Sequence, residues 1–163
     1  MKTPKFILSL AATAAMLVCT TLAQAELDRA DRNFLEKAGK ASQNEVTISQ
    51  EALAHLTSPS ARDFANMMVT DHSKLNAELT ALAATKGVTL PGPSERVAKK
   101  WANNTKDVED EYLATMVHEH KEAVELFEKA AKSKDADIAA FAQKSLPTLR
   151  DHLAMAKTDK KIN

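Results

Sequence analysis

Four stretches of this chain carry apolar residues at alternating steps of four and three, a period that admits little besides packed helices. The first seam is Phe34, Ala38, Ala41, Glu45, Ile48, Ala52 and His55. The second is Ala61, Ala65, Met68, His72, Leu75, Leu79 and Leu82. The third holds Leu113, Met116, His120, Ala123, Phe127 and Ala130, and the fourth Ile138, Ala142, Ser145, Leu149, His152 and Ala156. With only 3 glycines in 163 residues and abundant alanine, little interrupts helix. The expected fold class is therefore all-α, a bundle of four helices.

The punctuation between seams sets the topology. Helix one is expected from about Asp28 to Leu56 and stops at Thr57-Ser58-Pro59-Ser60, where Ser58 caps helix two and Pro59 takes its first position. Helix two ends at Lys86-Gly87. The connector that follows contains Pro91-Gly92-Pro93 and a short helical stretch from Glu95 to Asn103 around Trp101. At about 18 residues it exceeds the usual 2–8 residues between bundled helices, and it is long enough to run the length of the bundle. Helices two and three are then parallel. The Ser133-Lys134-Asp135 turn joins helices three and four, Pro147 is expected to kink the last helix, and the charged tail is expected to fray.

Residues 1–25 read as a cleaved secretory signal: Lys2 and Lys5, an apolar run from Phe6 to Val18, and Ala23-Gln24-Ala25 as the cleavage site. The bundle then spans residues 26–157, with 158–163 as tail. An exported protein is expected, periplasmic or secreted. Cleavage would remove two of the 22 basic residues and none of the 22 acidic ones, leaving a net charge near −2. That balance argues against a nucleic-acid partner, and the mature chain has no apolar run long enough to span a bilayer. The sole cysteine, Cys19, lies within the signal, so the mature domain has no disulfide and any metal site must use His, Asp, Glu or Met.

Three acid–histidine dipeptides carry the chemistry: Asp71-His72, Glu119-His120 and Asp151-His152. Each histidine takes a core position, where an unpaired polar group would cost several kcal/mol. About the first turn, near Ser58, Glu45 and His72 fall at one level of an antiparallel pair. About the second, taken at Ser133, His152 lies some five residues, or ~7–8 Å, beyond the level of His120. Glu45, His72, His120 and His152 supply ligands acceptable to Fe, Zn, Mn or Cu. Asp71, Glu119 and Asp151 are candidate ligands too, or acceptors for the outer ring nitrogen of a histidine on another helix. Met68 and Met116, each one turn before a histidine, would suit copper but are equally ordinary core filler. The chain has no G-x-S-x-G, no Gly-rich phosphate loop and no H-E-x-x-H.

Asn44-Glu45-Val46, Phe64-Ala65 with Met68-Val69-x-Asp71-His72, Tyr112-Leu113-x-x-Met116-Val117-x-x-His120 and Leu146-Pro147-x-Leu149-x-x-His152-Leu153 together resemble the bacterial domain-of-unknown-function family 4142. The resemblance runs from about Leu27 to Ala156. It implies an exported, ferritin-like four-helix bundle with a long crossover between helices two and three. Dimetal proteins of that fold draw Glu-x-x-His from two helices, and no such motif occurs here. Three functions remain in view: a metal-binding bundle, a structural or interaction module of the cell envelope with hydrogen-bonded core histidines, and, with least support, a metal-dependent redox enzyme.

Overall fold

The computed structural model describes residues 27–94 and 108–162. The expected signal peptide and the short helix around Trp101 lie outside them. Four helices form: α1 (Arg29–Ala52), α2 (Pro59–Thr85), α3 (Val108–Ala130) and α4 (Ala136–Ile162). Each of α1 and α4 packs against both α2 and α3, so the helices follow the order α1–α2–α4–α3 around the axis, and the α2–α4 face is the loosest.

Side chains from one hairpin fasten the ends of the other. Asp28 caps α1, and Ser58 caps α2 by accepting from the Ala61 amide. Arg62 covers the last carbonyls of α1, donating to Leu53 and Leu56. Glu109, at the start of α3, accepts from the Thr57 and Ser58 amides. At the other end Lys86, just past α2, bridges Asp135 and Asp137, which flank the start of α4, at 2.7 Å each. The starts of α2 and α3 therefore share one end of the bundle. The two helices are parallel, so the end of α2 and the start of α3 lie at opposite ends of the bundle. The chain after α2 returns beside α1 as far as Ser94: Leu90 packs where Gly39 leaves no Cβ, and the Ser94 amide donates to Asn44.

Three details differ from the seams read in the sequence. In α1 the buried face includes Leu35, Gly39, Ser42 and Ser49, while Ala41 is half-buried and His55 exposed. A helix that touches two neighbours needs a stripe wider than one seam. The turn taken as centred at Ser133 ends at Asp135, which caps α4 by accepting from the amides of Asp137 and Ile138. Finally, α4 stays helical to Ile162, into the stretch 158–163 expected as a frayed tail; Ala156 is still fully buried and Thr158 bonds back to the Ala154 carbonyl.

The core has two apolar blocks. One gathers Phe34, Phe127, Phe141, Ile138 and Leu79 toward the α3–α4 turn. The other gathers Phe64, Tyr112, Met68, Met116 and Ile48 toward the α1–α2 turn. Between them lies a polar layer.

Candidate metal centre

One residue from each helix supplies that layer. Glu45 precedes Ile48, His72 follows Met68, His120 follows Met116, and His152 lies between Leu149 and Ala156, so each sits where one apolar block gives way to the other. All four are buried, none more than 3% exposed. The rings of His72, His120 and His152 form a nearly equilateral triangle, with centroids 5.3–5.5 Å apart. His152 thus joins His120 at one level, despite the offset expected from a turn centred on Ser133. Glu45 and His72 lie 14 and 13 residues either side of Pro59, and His120 and His152 each lie 16 from Ala136. Both hairpins fold about the first residue of their second helix, and the Asp135 cap moves that point three residues past Ser133.

Hydrogen-bond partners outside the triangle assign the tautomers. The Met116 carbonyl can only accept, so His120 donates from Nδ1 at 3.0 Å and leaves a lone pair on Nε2. Asp71 accepts from His152 Nε2–H at 3.0 Å, leaving the lone pair on Nδ1. Ser42 directs its hydroxyl to the His72 carbonyl, and its oxygen accepts from His72 Nδ1–H at 3.0 Å. Three imidazole lone pairs therefore converge. His120 Nε2 and His152 Nδ1 are 3.3 Å apart, and Glu45 Oε2 lies 2.9 Å from His72 Nε2 and 3.7 Å from His120 Nε2.

These separations suit a cation. With metal–ligand bonds of 2.0–2.2 Å, the ligand atoms of a tetrahedral site stand ~3.3–3.6 Å apart. The Glu45–His72 contact, although short, lacks hydrogen-bond geometry, and both atoms are buried without a hydrogen-bond partner. Such orphaned acceptors are costly unless something positive lies between them. Three of the ring nitrogens, one per histidine, lie within 4.8 Å of one another, a group able to hold a metal ion.

The electrostatics follow from one buried carboxylate among three rings. Burial alone would push the Glu45 carboxyl up, but His72 and then His120 outweigh it and hold it below the usual carboxylate range. Burial opposes charge on His72 too, yet Glu45 and then Asp71 raise it above an ordinary imidazole. Burial depresses His120 against the pull of Glu45. Burial, then the charge of His72, brings His152 down to about 4 despite Asp71. The layer thus calls for one positive charge. A proton on His72 can supply it, and so can a divalent cation.

Not every candidate from the sequence reaches the centre. Asp71 stands at its edge as the partner of His152. Asp151 is exposed, and Glu119 is half-buried in a groove between α1 and α3 with Lys37 and Lys40. Neighbours on a helix point about 100° apart, so an inward histidine sends its adjacent acid elsewhere. Ser42 was not singled out in the sequence, although a serine three residues before Glu45 on the same face is a readable signal.

The model of a family described as a domain of unknown function (DUF4142) matches residues 18–158. The chain belongs to the DUF4142 family. Its bundle is similar to a DUF305 fragment from Deinococcus radiodurans, at 13% identity and a TM-score of 0.73, covering 83% of this chain and 98% of that one. It is also similar to a conserved hypothetical protein from Mycobacterium tuberculosis, at 14% identity and a TM-score of 0.67, covering 81% and 91%. These likenesses concern the fold. No curated protein matches the chain. Among the described residues no helix of this DUF4142 domain is long and apolar enough to cross a membrane.

Proposed function

We propose that this DUF4142 protein is an exported bundle that holds one divalent transition-metal ion in its core, with Glu45, His72, His120 and His152 as ligands. The observation that carries the reading is the convergence of one nitrogen from each of three buried histidines on a buried carboxylate, with Glu45 Oε2 2.9 Å from His72 Nε2. Three imidazoles and one carboxylate favour iron, zinc, manganese or copper over magnesium or calcium, which prefer oxygen throughout. Asp71 and the Met116 carbonyl orient His152 and His120, and Ser42 orients His72, as outer partners do around metal-bound histidines. A bound ion would supply Lewis acidity and local positive charge. No residue is assigned to turnover.

The second reading is a structural or interaction module with hydrogen-bonded histidines. It draws support from the 3.3 Å contact of His120 with His152, where one shared proton would satisfy both rings. It accounts for the Glu45–His72 contact only with a proton held on His72 Nε2.

Elemental mass spectrometry on the untagged protein, exported in its native host and purified without chelators, separates the two. Near-stoichiometric iron, zinc, manganese or copper, lost in a His72→Ala/His120→Ala variant, supports the ligand set. A protein that arrives free of metal and takes up none of these ions when they are added would overturn it.

A further inference from the structure

We propose that the cation reaches this centre through the cleft between α2 and α4, as a hydrated divalent ion whose first protein ligand is Asp71 and which His152 turns to admit. The inference rests on the metal-binding reading and adds an outer site to it. The cleft has a volume of ≈ 120 Å³, and its lining includes Asp71, His72, Ser145, Thr148, Leu149 and His152. At about 30 Å³ per water molecule that is room for a partly hydrated ion. The space beside Ser42, Glu45 and His72, which Leu75, Ala123 and Leu149 also line, amounts to only ≈ 10 Å³, room for about one water.

The three rings are held unequally. His72 is fixed by Ser42 at both its ring and its carbonyl, and His120 by the carbonyl one turn back on its own helix. The outward bond of His152 goes to Asp71, whose side chain is 39% exposed at the cleft. Asp71 therefore touches both solvent and a ring of the centre. When its carboxylate takes a cation, it releases His152 Nε2, and the freed ring can rotate as the ion passes inward. The cleft also carries Lys74, Glu78 and Lys144, with Lys144 bonded to Glu78 at 2.9 Å. Two lysines balance two carboxylates there, so capture depends on ligation by Asp71, and uptake should respond only weakly to salt.

The test is stopped-flow uptake of Co²⁺ by the full-length exported protein, followed by its visible absorption, with release measured into excess chelator. Thr148→Trp and Lys144→Trp place bulk in the cleft at exposed positions outside the ligand set. Each should slow uptake and release by the same factor, at least about ten-fold, with affinity unchanged, because an obstructed path raises one barrier crossed in both directions. Glu122→Trp, on the opposite α1–α3 groove, should leave both rates alone. Asp71→Asn should slow uptake; if Asp71 only orients His152, uptake stays at the wild-type rate and release alone quickens. Normal rates in both cleft variants, or a change confined to release, would overturn the route while leaving the metal centre standing. Failure of the wild-type protein to bind Co²⁺ would overturn both.

Discussion

The apolar blocks at the two ends of the bundle and the polar layer between them are built on different terms. Toward the α3–α4 turn, Phe34 meets Phe127 edge-on at 5.0 Å, and Phe141 closes the cluster. Each of these contacts is favourable wherever the rings are kept from water. The middle layer puts a carboxylate and three imidazoles into the same dry interior, where each needs a specific partner. The ends hold the bundle together; on the proposed function the layer is tolerated for the ion it holds.

Truncating an end should do the most damage. Phe127→Ala is expected to cost ~3–5 kcal/mol, measured by urea denaturation, by the same amount with and without chelator. The layer should behave in the opposite way. Replacing Glu45, His72 and His120 together with Leu should leave the metal-free protein as stable or more stable by ~1–4 kcal/mol, as when a buried ionic cluster gives way to packed apolar groups. The same variant should lose all stabilisation by added metal, which in the wild type reaches ~2.7 kcal/mol at a hundred-fold excess over Kd. A loss comparable to that of Phe127→Ala would make the layer structural and erase the contrast.

Acid sharpens the comparison further. His120 and His152 have folded-state values below the unfolded imidazole value, His152 at about 4. Their contribution is complete above pH ~6.5 and is lost as pH falls toward those values, because the unfolded chain takes up protons first. Glu45, also lowered, adds a loss at lower pH, below the unfolded carboxylate range. His72 is raised, so its contribution is present below its unfolded value and disappears as pH rises through its folded one. His152 therefore makes the metal-free protein less stable at pH 4.5 than at 7.5, against an opposing contribution from His72. His152→Leu should flatten that slope, and Phe127→Ala should not.

The smallest effect belongs to the surface. Breaking the exposed Arg150–Glu128 pair, 2.8 Å apart, should change stability by ~0.2–1 kcal/mol. A larger change would mean that the outer faces contribute more than the comparison allows.

Much of this was legible in the sequence because helix period and capping chemistry are local. The four seams, the Ser58-Pro59 start of α2 and the long return between parallel helices are all written in neighbouring residues. Placing Glu45 opposite His72 needed only the position of the first turn. His152 was harder, since its level depends on which residue of Ser133-Lys134-Asp135 caps α4, and both Ser133 and Asp135 can accept from an amide. The roles of the acids were harder still. Asp71, Glu119 and Asp151 have the same local setting, and only the packing of α4 against α2 puts a histidine within reach of Asp71. Ser42 lay hidden because α1 buries two adjacent stripes, whereas a single seam points to Ala41.

X-ray absorption spectroscopy of the protein loaded with one equivalent of Zn²⁺ or Co²⁺ tests the central claim most directly. The expected result is a four-coordinate shell at ~2.0–2.2 Å with the outer-shell scattering of three imidazoles, changed by His120→Ala. A shell of oxygen alone, or one the same in wild type and His120→Ala, would contradict the assignment of Glu45, His72, His120 and His152 as a metal centre.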